Sequence, residues 1–250
     1  MTLAIVSAMR EELRALLSCL EGAQVERAGG RVFHRGRLAG REVVLVLSGI
    51  GKVAASATTA LLIDRFRVSS LLLTGVAGGL GPGVKVGDVV VANDLLQHDL
   101  DASPLFPRWE VPLTGRSRFP TDAGLRDALA AACDTVLAQP HAGLASLGLN
   151  APRRHQGLVV SGDRFVASAA ESDGLRAVLP DALAVEMEGA AMAQVCADFD
   201  RPLAVLRTVS DRADDTAHVD FGRFVAEVAA EYSRDIVMAA LAAGYGPSQA

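Results

Sequence analysis

Short apolar runs alternate along the chain with longer stretches in which apolar residues recur every three or four positions. Residues 3–7 form such a run, and in the following REELRALLSCL the leucines at 13, 16, 17 and 20 share one helical face. A strand followed by a helix is expected. Residues 32–38 and 42–48 read as paired strands around the turn-forming Ala39 and Gly40. Residues 52–66 are Ala-rich and helical, 71–74 a buried strand running into TGVAGGLGPG, and 86–92 a further strand. Residues 125–137 and 169–179 read as helices, the second closed by Pro180, with a strand at 158–161 between them. Strands at 182–185 and 203–209 flank a helix at 189–198. Residues 221–242 read as a final amphipathic helix with Asp220 as its N-cap.

This order predicts an α/β fold: a mixed central β-sheet flanked by helices on both faces, with residues 1–250 as a single domain. No linker, repeat or low-complexity segment interrupts it. Residues 104–120 and 139–154 carry several Pro and Gly and read as long surface loops.

Composition narrows the function classes. Half of the residues are hydrophobic and the formal net charge is −5, which argues against nucleic acid or an anionic membrane as partner. Cys19, Cys133 and Cys196 are widely spaced, without a CxxC, and read as reduced, mostly buried thiols. The N-terminus lacks a basic region ahead of its apolar stretch, which Arg10, Glu11 and Glu12 interrupt, so it does not read as a signal peptide. No apolar run reaches membrane-spanning length. A cytoplasmic location is expected.

In such a sheet, ligands gather where strands end. TGVAGGLGPG holds neither G-x-G-x-x-G nor a P-loop, so its glycines serve either a tight turn or close approach of backbone amides to a flat ligand. The close-approach reading is preferred. Histidines 34, 98, 141, 155 and 218 show no metal-ligand spacing, and neither a metal nor another cofactor is expected. His98 and Asp99 follow a strand and read equally as structural or as near the site. No G-x-S-x-G elbow is present.

What remains are carboxylates at strand ends: Glu11 or Glu12, Glu186 and Glu188, and Asp211. Each alone reads as an acid favoured by a helix N-terminus. Together they suggest a pocket rich in acids and poor in bases, suited to cleaving a glycosidic bond.

AMREE, SGIGKVAA, TGVAGGL, VGDVV, SGDRF, VEMEG and RTVSDRAD occur in this order, and together they resemble the 5′-methylthioadenosine/S-adenosylhomocysteine nucleosidases of the nucleoside phosphorylase superfamily. The resemblance runs from Leu3 to the final helix. It implies a nucleoside phosphorylase-like three-layer sandwich, a homodimer, and hydrolysis with water as nucleophile and a small nucleoside as substrate.

It also implies roles. Glu12 matches the general base that activates water, and Asp211 the acid that protonates N7 of the departing adenine, with Ser210 beside it. Met187 and Glu188 match the ribose contacts, and Phe165 and Val166 the adenine-binding segment. Ala77 and Gly78 match the backbone lining, while Met9 and Ile50 match the apolar wall near the ribose and alkylthio group. Arg207 matches a residue that orients the carboxylates, and Glu186 takes a supporting role. A free Asp titrates near ~3.9, so burial is expected to raise Asp211.

Phe106, Trp109 and Pro112 lie where the family's neighbouring subunit caps the 5′ pocket, and read equally as a lid or as dimer packing. Val76 stands where many of these nucleosidases carry Ser, and the segment 133–156 is longer than in compact bacterial members. Two alternatives stay open: a phosphate-dependent purine nucleoside phosphorylase, and a non-catalytic nucleoside-binding protein.

Overall fold

The structure is a computed structural model describing residues 1–146, 149, 151–214 and 224–245. At the centre of the sheet β1 (Leu3–Ser7) runs parallel to β4 (Arg41–Leu47) on one side and to β5 (Ser70–Gly79) on the other. Beyond β4, β3 (Arg31–Leu38) and β2 (Glu21–Ala28) continue antiparallel to the outer edge. Beyond β5, β10 (Leu203–Asp211) runs parallel to it and antiparallel to β6 (Val89–Gln97), which carries the short β7 (Arg118–Pro120). From β6 the sheet passes in parallel through β8 (Arg154–Ser161) to β9 (Ala182–Glu186). It then closes, because β9 pairs antiparallel with Gly78 and Gly79 at the far end of β5. The closure draws the ends of β5, β9 and β10 together.

Helices cover both faces, as the alternation of apolar positions requires. Within β1, Ala4 and Val6 join one core and Leu3 and Ile5 the other. The first core packs against α2 (Lys52–Asp64) and α6 (Gly189–Asp198) through Ala55, Leu62, Met192 and Cys196. The second packs against α1 (Arg10–Leu17), α3 (Ala123–Leu137) and α7 (Ala230–Ala242) through Leu13, Leu16, Leu129, Ile236 and Val237. A π-helical turn, Val225–Ala229, leads into α7. The short α4 (Ala142–Ser146) follows α3, and α5 (Ala169–Val178) bridges β8 and β9. Among the described residues no helix is long and apolar enough to cross a membrane.

The expected elements recur with several differences; β7 and α4 fall within segments read as surface loops, and β8 starts at Arg154 rather than at 158. β2 was not expected: EGAQVERA is polar and mostly exposed, and an edge strand facing water on both sides carries no alternation. β5 continues to Gly79, through the segment read as a Gly-rich turn. The strand expected at 86–92 starts at Val89 and runs to Gln97. Asp220 as N-cap, and residues 221–223 of the last helix, lie outside the described residues.

Candidate active site

One cavity opens where β5, β9 and β10 end. It is lined by Ala8, Met9, Glu12, Ile50, Val76, Ala77, Gly78, Phe165, Val185, Glu186, Met187, Glu188, Arg207, Ser210 and Asp211. Except for Val166 and the segment 106–112, every residue to which the resemblance gives a role lines it, whereas Glu11, His98 and Asp99 do not.

Glu12 reaches it from the first turn of α1. Its Oε2 accepts the backbone N–H groups of Ala8 and Met9, each at 3.1 Å, and its Oε1 accepts that of Val76 at 3.1 Å. The carboxylate thus ties the start of α1 to β5 and is fully buried. Burial pushes its pKa up, outweighing the Arg207 guanidinium and the three amide donors, which pull it down.

The two acids of VEMEG divide their work. Glu186 ends β9 and caps α6: its carboxylate accepts the N–H of Glu188 at 3.1 Å and that of Gly189 at 2.9 Å. The Ser161 hydroxyl also donates to it, while accepting the Ala190 N–H at 2.7 Å. Glu188 turns instead to the loop after β4, where its Oε1 accepts the Gly51 N–H at 2.9 Å.

Arg207 serves both acids. Its Nη2 pairs with Glu186 and, at 3.1 Å, with Glu188. One buried guanidinium therefore faces three buried carboxylates. Burial first, and the Glu186 charge second, push Glu188 up to about 7, against the opposing pull of Arg207.

Asp211 sits where β10 departs from regular register with β5, between Val209 and Asp211. This irregularity lets Ser210 and Asp211, adjacent in sequence, both line the cavity. The Ser210 hydroxyl donates to Asp211 Oδ2 at 2.8 Å and the Ala213 N–H to Oδ1 at 2.8 Å.

The glycines of TGVAGG answer to space rather than to turn geometry. None of Gly75, Gly78 and Gly79 has a positive φ. A Cβ on Gly75 would collide with the Arg207 guanidinium and lie 2.9 Å from Glu12 Oε1, and one on Gly78 would lie 3.0 Å from Asp211 Oδ1. The buried charges occupy the volume those side chains would take.

Val166 is not among the lining residues: its side chain is buried in an apolar cluster with Leu80, Leu158 and Val160. Phe106, Trp109 and Pro112 do not line the cavity of their own chain. Trp109 packs on that same cluster, and its Nε1 donates to the His98 carbonyl at 3.1 Å. Sequence reading missed Ser161 and the amides of Ala8, Gly51 and Val76. Ser161 carried a signal, since it opens SGDRF; the amides carried none. Among the described residues no group of three His, Cys, Asp or Glu could hold a metal ion. Cys133 and Cys196 are buried, and burial pushes both thiols up to about 12.

A family model described as the phosphorylase superfamily matches residues 2–242. The chain belongs to the phosphorylase superfamily. Solved structures agree over nearly full length. The 5′-methylthioadenosine/S-adenosylhomocysteine nucleosidase of Neisseria meningitidis, in complex with methylthio-immucillin-A, is 37% identical with a TM-score of 0.85, covering 97% of this chain and 99% of that one. That of S. pneumoniae, with the transition-state inhibitor MT-ImmA, is 35% identical with a TM-score of 0.84, covering 97% and 99%. A mutant Helicobacter pylori MTAN with 5′-methylthioadenosine in the active site is 32% identical with a TM-score of 0.82, covering 96% and 97%. At these identities this superfamily member stands with the methylthioadenosine/S-adenosylhomocysteine nucleosidases.

The raised Glu188 gives this superfamily member an expected pH signature. An unfolded glutamate titrates near ~4.3, so between there and about 7 the folded chain binds more protons than the unfolded one. Stability then falls as pH rises through that window, by about 4 kcal/mol at most. Glu188→Gln removes this dependence. Urea midpoints of wild type and variant are expected to diverge from pH 5 to pH 8, the wild type losing more. A difference that stays constant with pH would contradict the assignment.

Proposed function

We propose that this chain hydrolyses the N-glycosidic bond of 5′-methylthioadenosine, S-adenosylhomocysteine or related 5′-substituted adenosines, releasing adenine. The observation that carries this reading is the pairing in one cavity of two buried carboxylates on separate supports, Glu12 and Asp211, with a third, Glu188, between the Gly51 amide and Arg207. The similarity to nucleosidases that hold methylthioadenosine or transition-state inhibitors supports the substrate class.

In this reading Glu188 accepts hydrogen bonds from the ribose hydroxyls, Met187 packs against the sugar, and Phe165 stacks on the base, whose edge backbone groups of the Phe165–Val166 segment read, while Ala77 and Gly78 supply backbone lining. Met9 and Ile50 wall the ribose and alkylthio group. Glu12 takes a proton from water as its oxygen bonds to C1′. The C1′–N9 bond breaks, its electron pair stays with adenine, and N7 takes a proton from Asp211. Charge on the ribosyl group rises in the transition state, and the surrounding carboxylates stabilise it.

A phosphorolytic reaction fits the same cavity less well. Among the described residues its one lining cation is Arg207, already engaged by Glu186 and Glu188, while Arg10 is exposed and not part of the lining. Glu12 facing a phosphate would cost ~4 kcal/mol per unit-charge pair at 4 Å, with an effective dielectric of 20.

Incubation with 5′-methylthioadenosine, with and without inorganic phosphate, is expected to yield free adenine at equal rates. Adenine formed only with phosphate, alongside a ribose 1-phosphate product, makes the chain a phosphorylase. No adenine in either arm makes it a nucleoside-binding protein.

A cytoplasmic homodimer completes the proposal, with the segment from Phe106 to Pro112 reaching the partner's 5′ pocket. Ile50, Val53, Leu105 and Leu113 are exposed apolar residues that a second copy would cover, and their exposure supports the proposal. Sedimentation at twice 26.0 kDa is expected, and a monomer at micromolar concentration would count against it.

A further inference from the structure

Three polar residues outside the cavity, from three different strand ends, are bonded into a closed ring. Lys52 opens α2 just after the β4 loop, Asp99 follows β6, and Asp163 follows β8. The Lys52 backbone N–H donates to Asp163 Oδ1 at 2.8 Å, and its Nζ donates to Asp99 Oδ1 at 2.7 Å. The ring closes through the Asp163 backbone N–H, which donates to Asp99 Oδ2 at 2.9 Å.

Each member sits beside an atom that the cavity uses. Gly51, adjacent to Lys52, donates its N–H to Glu188 Oε1 from a backbone at φ 97°, a conformation that needs glycine. Ile50 and Phe165 both line the cavity, and Phe165 follows Asp163 by two residues. His98, adjacent to Asp99, packs on Gly162, whose N–H donates to the Glu186 carbonyl at 3.1 Å.

A partly exposed ion pair contributes little to stability by itself, at most about 1 kcal/mol. A ring that fixes two backbone amides does something else: it sets where two loops stand relative to each other. We propose that Lys52, Asp99 and Asp163 are positioning residues that hold the Gly51 amide on Glu188 and the Phe165 loop over the base, without touching substrate themselves. The inference rests on the nucleosidase reading.

The ring acts on substrate binding rather than on the chemical step, because Glu12 and Asp211 are held by other donors. Lys52→Met is expected to raise the KM for 5′-methylthioadenosine roughly five- to tenfold while kcat stays within about twofold. Lys52→Arg recovers most of the loss. Asp163→Asn keeps an acceptor oxygen for the Lys52 amide and stays near wild type, whereas Asp163→Ala behaves like Lys52→Met. That second pair carries the comparison if Lys52→Met does not fold.

Amide exchange at Gly51 gives a readout independent of turnover, and protection there is expected to fall in Lys52→Met. Wild-type KM in both Lys52→Met and Asp163→Ala, a loss confined to kcat, or unchanged Gly51 protection overturns the proposal. Failure of the nucleosidase reading is distinct: the wild-type chain itself releases no adenine.

Discussion

Asp211→Asn is expected to lower kcat for 5′-methylthioadenosine by roughly 10²–10⁴-fold, the range typical of removing a positioned general acid. The substitution is nearly isosteric, and the hydrogen bonds to Ser210 and Ala213 survive it. Asparagine keeps an oxygen for the Ala213 N–H, and its amide turns toward the Ser210 hydroxyl, which rotates to accept. The fold therefore changes little, and what is lost is a proton acidic enough to pass to N7. Urea midpoints close to wild type, alongside the collapse in turnover, separate this from unfolding. Near-normal kcat in Asp211→Asn would remove the residue from the mechanism.

Glu12→Gln makes an instructive contrast. Glu12 accepts three backbone amides through two oxygens, and a glutamine offers only one. One or more N–H groups would then face an NH2, an unsatisfied contact in a buried site that costs about 1–3 kcal/mol. Comparable loss of turnover is expected in both variants, but only Glu12→Gln also loses stability.

The elements that hold the site were legible because their patterns are strong. β1, β4, β9 and α6 follow directly from apolar runs and helical spacing, since burial on one or two faces leaves a periodic mark. β2 left none, being an edge strand in water. The extension of β5 through TGVAGG was hidden for a different reason. Glycine normally argues against a strand, yet here a chain neighbour (Arg207 for Gly75, Asp211 for Gly78) fills the place of its side chain, and that crowding is a tertiary fact.

The site shows the same division. Acid side chains at strand ends stood out from the sequence because a buried strand running into a carboxylate is unusual. The amides of Ala8, Gly51 and Val76 did not, because every residue has a backbone N–H and only the fold selects which ones meet a carboxylate. In SGDRFV the aromatic residue lines the cavity while the side chain of Val166 faces the apolar cluster, as adjacent residues in extended chain do, so any part Val166 takes at the base edge falls to its backbone.

Arg207→Met is expected to be the most destabilising single change in the site, by about 3–5 kcal/mol at neutral pH. Burying charge is tolerable here only because attraction offsets desolvation, and one guanidinium supplies that attraction to Glu186 and Glu188 directly and to Glu12 through its field. Methionine fills much of the volume, so the loss is electrostatic rather than a cavity effect. The uncompensated carboxylates then hold protons more strongly, and the sign follows: the deficit shrinks as pH falls and they neutralise, and grows as pH rises. Lysine restores a charge but not the reach, since its shorter side chain must place the ammonium where the Arg207 Nη2 meets both acids, so Arg207→Lys recovers only part of the stability. Turnover falls in both variants, most in Arg207→Met, because Glu188 loses all or part of the pull that holds its pKa down. Chemical denaturation at pH 5 and pH 8 reads the effect directly. An Arg207→Met chain as stable as wild type at pH 8 would mean that the three acids are held apart by something other than this one cation.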